Sequence, residues 1–511
     1  ASTVEGSTVK GSLVNTVGGA AVNLAAGNRV EANQAATNIK DSSVQGNLVN
    51  TVAGAGVNLA AGNRATANQA ATTIEGSTVK GNVVNTVGGA GINLAAGNRV
   101  EANQASATVK DSTVQGNLIN TVAGAGVNLA VGNRATANQA ATTIEGSTVK
   151  GNIVNTVGGA GINLAAGNRV EANQASATVK DSTVKGNLIN TVGGAGVNLA
   201  VGNRATANQA ATKIEGSTVK GNIVNTVGGA GINLAAGNRV EANQAAATIK
   251  DSTVQGNVTN TVAGGALNLA AGNRATANQA ATLIEDSNVK GNIQNTVGGA
   301  ALNLAVGNKS EANMATTKIS NSSVSGNITN KVTGAALNLA AGNQSTANMA
   351  TTQISDSTVR GDISNKVTGA ALNLAVGNKS EANMATTKIT DSTVRGNVST
   401  SVTGGAINLA AGNRATANMG TVEVENSTVG GNLSSRVKPG ASTLNLALGS
   451  KAEANSGAII IKDGSTVSGN VSVVSGKGIT VNDTDSPLSF GQNINIATGS
   501  GKSHKNSVIM K

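Results

Sequence analysis

Arg29, Arg64, Arg99, Arg134, Arg169, Arg204, Arg239 and Arg274 follow one another at a constant step of 35 residues. Guanidinium groups repeated at one phase make a line of fixed positive charge. Its chemistry is salt-sensitive contact with phosphate or carboxylate. Lys309, Lys379 and Arg414 continue the phase, with Gln344 between them. Two positions on, Glu31, Glu101, Glu171 and Glu241 alternate with Thr66, Thr136 and Thr206. Strand geometry places i and i+2 on one face, so each Glu is expected to serve about two Arg, leaving a net positive stripe. Two readings follow. The stripe is either a solvated face that keeps fibres apart or a groove for extracellular DNA or acidic polysaccharide. The chain has no Trp or Tyr, so stacking on bases is not available to it.

Other chemistry is sparse. His504 is the one histidine, and there is no cysteine, so no His-based triad, thiolate metal site or disulfide is expected. Residues 499–503, GSGKS, touch on a phosphate loop, but the full pattern needs Gly where Ile496 stands. Calcium-solenoid repeats are absent as well. Met314, Met349, Met384 and Met419 share one phase and read as core packing rather than a metal box. The expectation is a protein that is not an enzyme, with no catalytic residues, no metal and no cofactor.

What must position these columns is the repeat itself, typified by residues 81–115. Its opening glycine recurs as Gly11, Gly46, Gly81, Gly116, Gly151, Gly186, Gly221, Gly256, Gly291, Gly326, Gly361, Gly396 and Gly431. Such self-similarity outranks local signals and predicts a quasi-one-dimensional array. With a single aromatic, Phe490, the core must come from Val, Ile, Leu and Ala. Val83–Val87 alternates with period two, and residues 92–96, INLAA, are expected to turn Ile92, Leu94 and Ala96 to one face. A third run surrounds Ala107–Val109. Gly88-Gly89 and Gly97-Asn98 mark corners. Helix is disfavoured by the Gly and Asn content.

One phase fixes how repeats meet. Glu5, Lys40, Glu75, Lys110, Glu145, Lys180, Glu215, Lys250 and Glu285 alternate in sign without a break. A 70-residue ancestral duplication explains the alternation. Stacking of one repeat per rung at ~4.8 Å explains why it is tolerated, since opposite charges become neighbours. Gln34, Gln69 and their equivalents to Gln279 stack like on like before the switch to Met. Asn23 and Asn58, Asn28 and Asn63, and Asn33 and Asn68 open three unbroken Asn columns. Both residue types are expected to form amide ladders along the stack. The expected fold class is all-β: a β-solenoid with one 35-residue repeat per rung and 13–14 rungs, cored by Leu13, Leu24, Ala32, Ile39 and their equivalents. Residues 1–455 hold thirteen tandem repeats. Residues 456–511 read as a degenerate repeat plus a cap or subunit-docking segment.

The segment 22–36, VNLAAGNRVEANQAA, and its copy GAGVNLAAGNRATANQAA at 54–71 resemble the repeats of Fap-type functional amyloids of Pseudomonas biofilms. This chain departs from that pattern in having thirteen repeats without linkers and no Cys pair. The resemblance implies export across the outer membrane, self-assembly into fibres and a structural role in a biofilm matrix. A start at Ala1 without Met accords with processing of a secreted protein. No apolar run reaches the ~20 residues of a membrane span. The leading expectation is an extracellular homopolymer, joined end to end. The alternative is a monomeric surface adhesin that binds polyanions through its Arg column. Ice binding through the Thr16, Thr51, Thr86 and Thr121 column is weaker, because Lys331 and Lys366 interrupt it.

Overall fold

A computed structural model describes residues 2–437, 443–449, 451–475, 478–481, 493–497, 502–505 and 508–510. Pro439, Gly440, Pro487 and Phe490 lie outside the described residues. No helix forms among the described residues, and their strands pair in parallel. The fold is a β-solenoid. One turn comprises two flank strands, Val83–Val87 and Gly91–Ala96, a long strand, Arg99–Lys110, and a corner strand, Thr113–Val114. Each pairs in register with residues 35 positions away, as Val83 does with Leu48 and Leu118.

The chain divides into two compact units, Ala1–Gly256 and Asn257–Lys511. In the first, the first flank sheet stacks Leu13–Val17, Leu48–Val52, Val83–Val87, Leu118–Val122, Ile153–Val157, Leu188–Val192 and Ile223–Val227. In the second it stacks Val258–Ala263, Ile293–Gly298, Ile328–Thr333, Ile363–Thr368, Val398–Thr403, Leu433–Val437 and Val471–Ser475. Within residues 456–511, Asn493–Ala497, Lys502–Lys505 and Val508–Met510 pair in parallel with the last repeat, and Gly478–Val481 pairs in parallel with residues 493–496.

The core is a thin layer. Val83, Asn85 and Val87 point inward toward Ala107 and Val109 of the long strand, all buried. Leu48, Ala32 and Ile39 are buried too. The second flank strand corrects the expected core. Its inward residues are Gly91, Asn93 and Ala95, while Ile92, Leu94 and Ala96 face out. Leu24 is therefore a surface residue, not a core one. Space decides this phase: an ideal Cβ on Gly91 would sit 2.3 Å from Gln69 Oε1 of the preceding rung. With the amide placed as it is here, only a hydrogen leaves room, so this rung turns its glycine inward.

The opening glycine has an equally direct cause. A Cβ on Gly81 would come within 2.3 Å of the Gly46 carbonyl oxygen, so the rungs pass too closely for any side chain. The corner after each long strand is left-handed. Gly6, Gly76 and Gly146 alternate there with Asp41, Asp111 and Asp181, all at positive φ. Short polar side chains tolerate that region, and Gly tolerates it best.

Candidate functional site

The long strand ends each turn with its sign-alternating residue. Register sets Glu5 beside Lys40, Lys40 beside Glu75, Glu75 beside Lys110, and so on to Glu215 beside Lys250. Glu285 pairs in register with Ser320. Two neighbours close to ion-pair distance, Lys40–Glu5 at 3.8 Å and Lys180–Glu145 at 3.9 Å. These groups are about half exposed or more, so each pair adds about 0–1 kcal/mol at most. Their value lies in register, because a slipped rung would set like charges together.

Four Asn columns run as amide ladders, in two opposite senses. Asn23 donates to Asn58 Oδ1 at 3.1 Å, and Asn58 to Asn93 at 3.0 Å, toward higher rungs. Asn68 donates to Asn33 Oδ1 at 3.0 Å, and Asn103 to Asn68 at 3.0 Å, toward lower rungs. The exposed corner column also runs downward, with Asn63 to Asn28 at 3.5 Å and Asn98 to Asn63 at 3.1 Å. The fourth ladder escaped sequence reasoning. Asn15 donates to Asn50 at 3.0 Å, Asn50 to Asn85 at 2.9 Å and Asn85 to Asn120 at 2.9 Å, from fully buried positions after the first. Each amide also bonds the long strand, as Asn50 does to the Ala71 carbonyl and Thr72 Oγ1. The signal was present: Asn in mid-strand, where it is disfavoured, recurring unbroken from Asn15 to Asn365. Ser42, Ser77 and Ser112 form a further unread column, each Oγ accepting from the backbone N–H of the preceding serine position.

The Gln column behaves differently from the expected ladder. Gln34, Gln69 and Gln104 each donate across their own rung, to the carbonyls of Ala21, Gly56 and Gly91 at 2.9 Å. Gln244 does bond Gln209 Oε1, at 3.2 Å. The cause is proximity: the amide reaches the flank-strand carbonyl opposite it before it reaches the next rung. The Oε1 atoms of Gln34, Gln69, Gln104, Gln139 and Gln174 are buried with no hydrogen-bond partner.

Arg29, Arg64, Arg99, Arg134, Arg169, Arg204 and Arg239 open successive long strands in register and are exposed. Arg274, Lys309, Gln344, Lys379 and Arg414 do so in the second unit. No ion pair involves an Arg of this column among the described residues. The neighbouring carboxylates are engaged elsewhere: Asn33 donates to Glu31 at 3.0 Å and Asn383 to Glu381 at 2.8 Å. The amide two residues on shares the outward face and is closer to hand than a guanidinium pointing into solvent.

The long strand bends, so its outer face is concave. Lys318 reaches back to pair with Glu311, seven residues earlier on the same face. Burial pulls the Lys318 ammonium down to about 8, against the opposing field of Glu381. In the first unit, burial raises the Glu241 carboxyl above the usual range, while a hydrogen bond from Asn243 and the charge of Lys213 oppose it. A cleft of about 380 Å³ in the second unit is lined by Leu283, Lys318, Gln353, Glu381 and Lys388, among others. Among the described residues, no group of three or more His, Asp or Glu is placed to hold a metal ion. No helix is long and apolar enough to cross a membrane. Compared with known proteins, the chain matches no family model, no curated protein and no solved structure.

Proposed function

We propose that this chain is a structural subunit that assembles end to end into extracellular, amyloid-like filaments of a matrix. The observation that carries the reading is that every rung repeats one register. Leu48–Val52, Val83–Val87 and Leu118–Val122 pair in parallel at a 35-residue step, and the other sheets do the same. A stack of this kind offers at an end a parallel edge in the register that its own rungs use. Such an edge is a template for another strand unless it is covered. The ladders support the same reading: Asn23 donates to Asn58 and Asn58 to Asn93, a rung-to-rung pattern that a further copy can continue.

Electron microscopy with fibre diffraction on purified protein tests this. Long unbranched filaments with a meridional reflection near ~4.8 Å are expected. Val14→Pro with Val22→Pro removes two backbone donors from the side of Leu13–Val17 and Ala21–Ala26 that faces away from the second rung, and is expected to abolish elongation while leaving the β-rich circular dichroism unchanged. Discrete particles from the unmodified chain at high concentration would overturn the reading.

A second reading rests on the arginine column. Seven in-register, exposed guanidinium positions free of ion pairs suit an acidic polysaccharide or DNA strand. Binding that weakens steeply with salt, and that Arg99→Gln with Arg134→Gln and Arg169→Gln reduces, would support it. Salt-independent binding would exclude it.

A further inference from the structure

The outer face of the second flank sheet is apolar across its width and carries no charge in its three outward columns. In the first unit the outer columns are Val22, Val57, Ile92, Val127, Ile162, Val197 and Ile232; a central Leu column through Leu94; and Ala26, Ala61, Ala96, Val131, Ala166, Val201 and Ala236. Ile92 and Ile162 are each 47% exposed, and Val131 and Val201 are each 43% exposed. Seven rungs at ~4.8 Å, each about 17 Å wide across three outward side chains, make roughly 570 Å² of flat apolar surface. Chains that stay apart rarely leave such a patch uncovered, since a few hundred Å² is about the usual limit.

The side chains also say what covers it. In the third to seventh rungs the two outer columns vary together. Ile92 shares its rung with Ala96, Val127 with Val131, Ile162 with Ala166, Val197 with Val201 and Ile232 with Ala236. A large residue on one side accompanies a small one on the other. A 70-residue duplication copies both columns together, so what calls for a physical reason is the compensation inside the duplicated pair of rungs. A solvated face has no use for it. A twofold axis parallel to the stack does, because it sets the first column of one chain against the third column of another at the same height. Ile then meets Ala, and Val meets Val, two pairings that differ by a single carbon. Facing like columns rung for rung would oppose Ile to Ile and Ala to Ala, and facing them one rung out of step would crowd Ile against Val in one column and leave Ala against Val in the other. A partner must also repeat at the rung spacing to interdigitate along the whole stripe.

We infer that this face binds the same face of a second copy of the chain, laterally, through an isologous dry interface with its twofold axis along the stack. The pairing buries roughly 1,100 Å² in total from the first unit alone, above the ~1,000 Å² that a specific interface needs. The contact is separate from end-to-end growth, which uses backbone edges rather than this face.

Because the chain has no cysteine, engineered thiols report the geometry directly. Chains carrying Ile162→Cys and chains carrying Ala166→Cys, differently tagged, are mixed under mild oxidation. A several-fold excess of the mixed disulfide over either like-with-like disulfide is expected. Equal yields, or none, would overturn the twofold arrangement. The full chain with Ile92→Lys, Ile162→Lys and Ile232→Lys then tests the face itself. If filaments form, mass per length should fall twofold; if they do not, sedimentation should shift from dimer to monomer. Either result leaves end-to-end growth as a separate question, and circular dichroism confirms the fold of the variant. Unmodified protein that is already single by these measures, or a variant that stays double, would overturn the inference.

Discussion

The two units solve one packing problem with different atoms. In the first, the inward position near the end of the long strand's first half is Gln, and from Gln34 to Gln209 the next rung sets a Gly against it. In the second, after Gln279, it is Met314, Met349, Met384 and Met419, all buried, and the next rung has Ala336, Ala371, Ala406 and Thr443 where the first unit has that Gly. The Gln version gains a cross-rung hydrogen bond and leaves a buried carbonyl oxygen without a partner, at a cost of about 1–3 kcal/mol each. The Met version has nothing polar to satisfy and fills its space with a flexible thioether. A partly satisfied amide specifies position at the expense of stability, and the thioether does the reverse. The outer faces diverge in parallel. Val14, Val49, Val84, Ile119, Val154, Ile189 and Val224 give an apolar first-flank column in the first unit; Thr259, Gln294, Thr329, Ser364, Ser399 and Ser434 make it polar in the second.

The buried Asn ladder is common to both units, and cutting it tests whether the comparison starts from equal ground. Asn155→Leu leaves Asn120 without its acceptor and Asn190 without its donor, so a loss of about 3 kcal/mol is expected in urea unfolding. Asn330→Leu should cost the same, and a large disparity would break the comparison. The next effect isolates the Gln–Gly pair. A Cβ on Gly161 would lie 2.2 Å from Gln139 Oε1, so Gly161→Ala should cost about 2 kcal/mol through overpacking. Adding Gln139→Met, which rebuilds the second unit's solution, should recover most of it. A double-mutant cycle showing additivity would end the claim that the two positions are coupled.

Smaller effects concern pH in the second unit and the backbone of individual rungs. Lys318 titrates at about 8 in the folded chain against 10.5 when free. The unfolded chain therefore binds more protons across that window, and stability of the second unit should rise as pH climbs from about 8 to 10.5. Lys318→Met should flatten this slope, as read by thermal unfolding across the window. The smallest change is at the bend of the long strand. Ala315, Ala350 and Ala385 sit at φ near 50°, where later rungs place Gly420 and Gly457. Ala350→Gly is expected to stabilise by about 0.5–1 kcal/mol, since Gly relieves a left-handed strain. Ala105→Gly, at a bend without positive φ, should destabilise by about as much, through lost backbone entropy alone.

Much of the architecture was legible because stacking turns spacing into contact. A 35-residue step, a sign-alternating column and like-on-like amides require the register that Glu5–Lys40 and Asn23–Asn58 display. The orientation of residues 91–96 was not legible. Its alternation was clear, but hydrophobicity assigned the wrong phase, because this core prefers Gly91, Asn93 and Ala95 over Ile92 and Leu94. What reverses the rule is a carbonyl: Asn93 donates to the Asn103 oxygen at 2.7 Å, a partner ten residues away that no local pattern reveals. The Gln column misled for a similar reason, since a ladder and a cross-rung bond need the same residue at the same spacing. The Arg column's isolation depended on Asn33 capturing Glu31, which only side-chain geometry decides.

The opposed senses of the Asn ladders have an electrical consequence. Amides bonded head to tail along a stack polarise one another, and a single such line would gather partial charge at its ends as an α-helix does. Here the Asn15 and Asn23 lines point up the stack and the Asn28 and Asn33 lines point down it. Two dipoles cancel two. Each added rung then brings cohesion without its amide dipoles raising the potential at the tip.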